Sequence, residues 1–304
     1  VAHTSESTNN LHATALHCGA CGGQSGEVNV RILADLLNNL KIRAALQDKG
    51  FSIPANTRFI AALHNTTTDA ISCFTTLMPA SLKVNLKEAQ RLAQRERLGQ
   101  FTDASPFMSD NEASTWFTRK SRDWSEVQPE WGLAGNDAFI IGPRERTRGL
   151  CLEGTAFLHE YRWQQDKDNA LLTLLMTAPM IVTHWINMQY NTSVTDSEKL
   201  GSGNKVLHNA LYNNIGVFEG NSGDLRIGLS RQSVHNGQEW THTPQRLSVY
   251  IVAPKNNIQR VVDENPIVKN LIDNEWIYLF TWERQHNIER LYKGSWYQWG
   301  GISV

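Results

Sequence analysis

Leu247-Ser-Val-Tyr-Ile-Val-Ala253 and Trp276-Ile-Tyr-Leu-Phe-Thr-Trp282 are two short apolar runs rich in β-branched and aromatic residues, separated by Asn265-Pro-Ile-Val-Lys-Asn-Leu-Ile-Asp273. The outer runs read as strands and the segment between them as a short helix. Strand, helix, strand is the signature of a parallel α/β unit. Its right-handed crossover puts both strands in one sheet. The expected fold class is therefore α/β, with a mainly parallel sheet flanked by helices.

Working toward the N-terminus, Ala170 to Ile186 is the longest apolar stretch, interrupted by Pro179 and His184. A bilayer span needs about 20 mostly apolar residues, so this stretch is short and flawed for a crossing. It reads as a buried or kinked core helix, with contact to a membrane as the alternative. Ser81 to Gln100 is a polar helix whose Lys87, Glu88, Arg91, Arg95, Glu96 and Arg97 are assigned to solvated faces, followed by a long loop over residues 102–115. Thr57-Arg-Phe-Ile-Ala-Ala-Leu-His64 reads as a buried strand that delivers the polar turn Asn65-Thr-Thr-Thr-Asp69 at its C-terminal end, where ligands of α/β sheets gather. Asn29 to Leu40 spaces Val30, Leu33, Leu37 and Leu40 as an amphipathic helix. The chain thus divides into a segment over 1–80, a helical and loop segment over 81–135, and an α/β segment over 136–304.

Composition bounds the function. The 304 residues carry 29 Lys plus Arg against 30 Asp plus Glu, a net charge of −1, which argues against a nucleic-acid partner and its need for a basic field. With 40% hydrophobic residues the chain is too apolar for disorder. Its 4 cysteines are too few for a disulfide scaffold, and Cys18-Gly-Ala-Cys21 suits metal or redox chemistry in a reducing, cytosolic compartment. The chain opens on Val1, its first Met is Met78, and no signal-peptide pattern is present, so a processed product or a piece of a longer protein is expected.

His3 and Cys18 pair an imidazole with a thiol beside a Gly-rich turn, a donor combination that zinc takes. A plain terminal histidine and a buried thiol are the competing account. Cys18 and Cys21 could alternatively be half of a four-cysteine zinc site, for which Cys73 and Cys151 are too isolated, or a thioredoxin-like dithiol. Gly201-Ser-Gly-Asn-Lys205 lacks the spacing of a phosphate loop and reads as a tight turn. Gly142-Pro-Arg-Glu-Arg-Thr-Arg-Gly149 could grip an anion through Arg144, Arg146 and Arg148, but an ion-pair network is the default. His159, His184, His208, His235 and His242 form no ligand spacing and read as satisfied core or surface histidines.

Leu16-His-Cys-Gly-Ala-Cys-Gly-Gly-Gln-Ser-Gly-Glu-Val-Asn-Val-Arg31, Leu63-His-Asn-Thr-Thr-Thr-Asp69, Gly142 to Gly149, His184-Trp-Ile-Asn-Met-Gln-Tyr190, Gly201 to Lys205 and Gly223-Asp-Leu-Arg-Ile-Gly-Leu229 together resemble the bacterial inorganic carbon transporter subunits called DabA. The blocks follow the family order over nearly the whole chain, which resembles the C-terminal part of such a protein. The resemblance implies a β-carbonic-anhydrase-like fold, incomplete because the N-terminal part is absent. It also implies a zinc site of two cysteines, one histidine and one aspartate. His3 and Cys18, separated by 14 residues, match the family's later His and Cys, so the carried-over ligands are these two and not Cys21. No Cys-x-Asp-x-Arg segment occurs in the chain, so the remaining ligands, and the Asp and Arg that open the metal to water, are expected upstream of Val1. Ala2 and His17 depart from the Gly and Asp of the family pattern. His64, Asn65 and Asp69 are the candidates for orienting the ligands or a bound water.

The activity implied is that of a carbonic-anhydrase-like lyase, using zinc to lower the pKa of water toward about 7 and convert CO2 to bicarbonate. The family setting implies a proton-translocating, antiporter-like membrane partner of the DabB type and a peripheral position on the cytoplasmic face of the bacterial inner membrane. The 304-residue piece alone is expected to be inactive. The alternatives are a structural or membrane-docking subunit with a vestigial metal, and a dithiol redox protein using Cys18 and Cys21.

Overall fold

A computed structural model of the chain describes residues 1–6, 25–75, 78–99, 101–123, 135–201, 229, 231–284 and 287–299. These belong to two compact units: one comprises the described residues of 1–123 together with 235–239, the other those of 135–234 and 240–299.

In the first unit, β1 (Ala2–Thr4) is followed by helices α1 (Glu27–Asn38) and α2 (Leu40–Asp48), strands β2 (Ala62–Asn65) and β3 (Ile71–Cys73), and helices α3 (Ala80–Leu98) and α4 (Asp110–Arg122). The sheet order is β1-β2-β3, with β1 parallel and β3 antiparallel to β2. Three sequence expectations change here. The strand placed at 57–64 is confined to β2, with 57–61 outside it, and it runs on through Asn65. The long loop expected through residue 115 ends at Ser109, because Ser109 and Glu112 close a reciprocal capping box that starts α4. The amphipathic helix is present and turns Val30 and Leu37 inward as expected, but Leu33 and Leu40 are exposed, Leu40 lies in α2, and Ala34 is the buried residue of α1. Asn39 separates α1 from α2 and caps the latter by accepting from the backbone N–H of Lys41 and Ile42.

The second unit carries the parallel sheet. Strands β4 (Ala138–Ile141) and β5 (Ala156–His159), helices α5 (Ala170–Thr177), α6 (Pro179–Thr195) and α7 (Arg231–Val234), strand β6 (Leu247–Ile251), helices α8 (Lys255–Glu264) and α9 (Pro266–Asp273), and strands β7 (Ile277–Arg284), β8 (Asn287–Tyr292) and β9 (Ser295–Gln298) follow in order. The sheet order is β5-β4-β6-β7-β8-β9, parallel from β5 through β7 and antiparallel beyond. Leu247 stands opposite Ile277 and Ile251 opposite Thr281, so the two runs that define the fold class are neighbours in one parallel ladder. Between them lie two helices where the sequence suggested one. The first, α8, has only Ile258, Val261 and Val262 buried, too sparse an apolar pattern to stand out among its polar residues.

Leu247, Val249 and Ile251 alternate into a core shared with Phe139, Ile141, Leu279, Leu172, Met176, Val262 and Val268. The apolar stretch at 170–195 is long and apolar enough to cross a membrane by length and composition alone. It breaks at Ala178, where Pro179 starts a new helix, and it packs Leu172, Leu175, Met176 and Met180 into the same core. At the end of β4, Gly142 lies so close to the β6 end that a Cβ would sit 2.4 Å from Val252 Cγ2.

Candidate functional site

Among the described residues, the candidates His3, His64, Asn65 and Asp69 lie at the β1–β2 pair and the turn that follows it. Parallel pairing sets Ala2 opposite Leu63, His3 opposite His64 and Thr4 opposite Asn65. In-register residues of paired strands share a face, so His3 and His64 stand side by side. His3 is exposed and His64 half-buried. The approach of α1 to this edge requires a glycine: Gly26 donates its N–H to the His3 carbonyl at 3.0 Å, and a Cβ there would meet Ala2 Cβ at 2.7 Å. Gly26 is the last of the glycines in the sequence Gly19-Ala-Cys-Gly-Gly-Gln-Ser-Gly26.

The turn after β2 is heavily cross-linked. Asn65 Oδ1 accepts from the N–H of Thr67 and Thr68, an Asx-type closure that commits its carboxamide to the turn. Thr66 returns its N–H to the Thr4 carbonyl at 2.8 Å, joining the turn to β1, and Glu6 N–H reaches Thr67 Oγ1 at 3.0 Å. Asp69 follows with φ +58°, a left-handed conformation that Asp tolerates better than most residues. Its carboxylate faces two partners: His64 Nε2 lies 3.2 Å from Oδ1, and Arg97 Nη1 donates to Oδ2 at 2.5 Å. Burial alone would raise the Asp69 pKa, but the His64 hydrogen bond and the Arg97 guanidinium outweigh it and hold the carboxyl below its usual range. An ionised carboxylate only accepts, so the His64 proton that faces it sits on Nε2 and the outer nitrogen is Nδ1.

Arg97 is the residue the sequence placed wrongly. The charge pattern of the helix predicts a solvated face for it, whereas its side chain is only 11% exposed and its guanidinium lies 4.9 Å from the Phe117 ring centroid. It also donates to the Thr66 carbonyl, and Gln94, one turn back on α3, donates to the Thr68 carbonyl at 2.7 Å. The usable signal was the spacing of Gln94, Arg97 and Leu98, which share a helix face.

Cys18 and Cys21 lie outside the described residues, as do His208, most of Gly201 to Lys205, and Gly223 to Gly228. Among the described residues no group of three or more His, Cys, Asp and Glu is placed to hold a metal. An exposed imidazole with a thiolate is nevertheless a donor set that suits zinc, and His3 is sterically available for it.

Several other singled-out side chains among the described residues meet protein partners. Arg146 donates to the Glu283 carbonyl and stacks on Trp282, and Arg144 bonds Thr147. His159 contacts the Glu160 carbonyl and His235 accepts from Gly237 N–H. His242 accepts from Gly135 N–H at Nδ1 and bonds Asn191 Oδ1 through Nε2, while Asn191 also reaches Asn187 and the Gln245 carbonyl. Burial pushes the His242 pKa down to about 4. His184 is buried too, its pKa lowered by burial, and its Nδ1 has no hydrogen-bond partner among the described residues, which the expectation of a satisfied histidine did not foresee.

Fold and edge together define an α/β protein with a mostly parallel six-stranded sheet in one unit and a histidine-bearing parallel strand pair in the other. The family model described as "Probable inorganic carbon transporter subunit DabA" matches residues 1–277, and the chain belongs to that family. Proteins of that description from Marinomonas sp. (strain MWYL1) and Hydrogenovibrio crunogenus are 56% and 53% identical to it, over 98% and 97% of this chain but 37% and 36% of their own length. One from Ralstonia pickettii (strain 12J) is 52% identical over 97% of this chain and 35% of its own. The chain thus spans little more than a third of the length of these relatives. No solved structure matches it.

Proposed function

We propose that this chain supplies His3 and Cys18 to a zinc site that hydrates CO2 to bicarbonate within an energy-coupled inorganic carbon uptake complex. The observation that carries the reading is the in-register pairing of exposed His3 with His64, whose ring is in turn anchored on a buried carboxylate. That arrangement resembles metal sites in which a polar shell behind the first ligand sets its surroundings. Zinc, when bound, supplies a Lewis acid that activates water near neutral pH. The chain's own contribution is then to present the His3 imidazole at a strand edge, to fix the turn beside it, and to hold an anionic carboxylate and its guanidinium counter-ion away from solvent. The proposed setting is a β-carbonic-anhydrase-like sheet completed by residues outside this chain, docked at the cytoplasmic face of the inner membrane on an antiporter-like subunit of the DabB type.

The test is metal content and CO2 hydration in the full-length complex. His3→Ala and Cys18→Ala are expected to lose zinc and carbon uptake, while Cys21→Ala keeps measurable zinc. Equal zinc loss from Cys21→Ala would move the metal to the Cys18 and Cys21 pair. A second reading, a docking subunit with a vestigial metal, draws on the absence of Asp, Glu, Lys and Arg from 170–195 and the exposure of Leu171, Leu174 and Trp185 there. It predicts full carbon uptake from a zinc-free complex.

A further inference from the structure

We propose that Arg97, acting through Asp69, is a positioning residue that fixes the His64 imidazole beside His3; this rests on the zinc reading above. The geometry forms an unbroken chain. Arg97 leaves α3 at the face it shares with Gln94, packs on the Phe117 ring and bonds Asp69 Oδ2, and the opposite oxygen of that carboxylate meets His64 Nε2. With its two oxygens divided between Arg97 and His64, Asp69 orients the imidazole about its Cβ–Cγ bond and sets which nitrogen carries the proton. The guanidinium serves two ends at once, because the same Nη1 also holds the Thr66 carbonyl, and Thr66 is tied to Thr4 on the strand that carries His3. Arg97 is therefore placed to fix both the ring of His64 and the register of the strand beside it. A helix that reads as a polar surface element instead reaches the ligand-bearing edge through one buried side chain.

Gln94 provides the internal comparison. It holds the same turn through the Thr68 carbonyl but touches neither Asp69 nor His64 through a hydrogen bond. Loosening of the turn would follow from losing either residue, whereas a change at His64 transmitted through Asp69 would follow only from losing Arg97.

The experiment uses the full-length complex, with cobalt in place of zinc and diethyl pyrocarbonate as the histidine probe. Arg97→Met, which leaves an unbranched apolar side chain near Phe117, and Asp69→Ala are each expected to raise the rate of His64 carbethoxylation about tenfold, the factor set by losing a hydrogen bond to a charged group. Both should shift the visible cobalt bands at unchanged cobalt content. Arg97→Lys should restore most of the protection, and Gln94→Ala should leave the bands and the His64 rate near the parent values. Unchanged His64 reactivity in Arg97→Met, whatever Asp69→Ala does, or an equal rise in Gln94→Ala, would overturn the assignment. Cobalt bands that respond to His3→Ala but not to Arg97→Met would overturn it while sparing the zinc reading; bands indifferent to His3→Ala in the parent background would remove both.

Discussion

Buried His242 makes stability in the second unit depend on pH, and the effect can be worked out from its surroundings. Nδ1 accepts the Gly135 N–H and Nε2 faces Asn191 Oδ1, so the neutral ring already fills both positions and a second proton has no acceptor. Burial lowers the folded pKa from 6.5 to about 4. The unfolded chain therefore binds the proton first as pH falls: stability is fully present above 6.5, declines below it, and stops declining below about 4. At pH 5 this linkage costs about 2 kcal/mol, against roughly 0.2 kcal/mol at pH 7, or about a twentyfold change in the opening equilibrium. Hydrogen exchange of peptides spanning 135–141 and 242–251, corrected for the intrinsic rate, should show that loss of protection between pH 7 and 5. His242→Gln keeps an acceptor for Gly135 and a donor for Asn191 but does not titrate, so its protection should be nearly flat. The same pH response in parent and His242→Gln would refute the reasoning.

Three further outcomes are expected. Gly142→Ala forces a Cβ against Val252 and should lower stability by about 1–3 kcal/mol, read as a fall in the melting temperature of the full-length protein. Ser109→Ala removes one half of the capping box of α4 and should cost about 1 kcal/mol, seen as faster exchange of the first-turn amides near Glu112 with the rest of the first unit unchanged. The 304-residue chain expressed alone should hold well under one zinc per chain and hydrate CO2 at the background rate; one tightly bound zinc with activity above background would mean that Cys21 or a carboxylate completes the site.

The parallel sheet was legible because β6 and β7 are buried on the core face and so are written as dense apolar runs. The break at Pro179 was legible because proline inside an apolar helix removes a hydrogen bond and kinks or ends it. What escaped were elements whose signal is polar. Helix α4 begins with a Ser-x-x-Glu box in a stretch that otherwise resembles loop, and α8 buries only three of its side chains. At the candidate site, His3 was singled out by its spacing to Cys18 and the family resemblance, and His64 and Asp69 by their place at the end of a strand; the structure pairs His3 with His64 and His64 with Asp69. Arg97 was not, because an arginine in a charged helix reads as solvated until the carboxylate that draws it inward is known.

The three-residue match between β1 and β2 also sets how this chain can tolerate length changes. Because side chains alternate along a strand, a slip by one residue would bring Ala2 or Thr4 opposite His64 and send His3 to the far face. A single inserted or deleted residue inside either strand would therefore misaddress the histidine even with every donor still present. The path between the strands, which includes helices α1 and α2, lies outside their ladder. Length variation should thus stay out of Ala2–Thr4 and Ala62–Asn65, making the pairing a fixed ruler for the histidine.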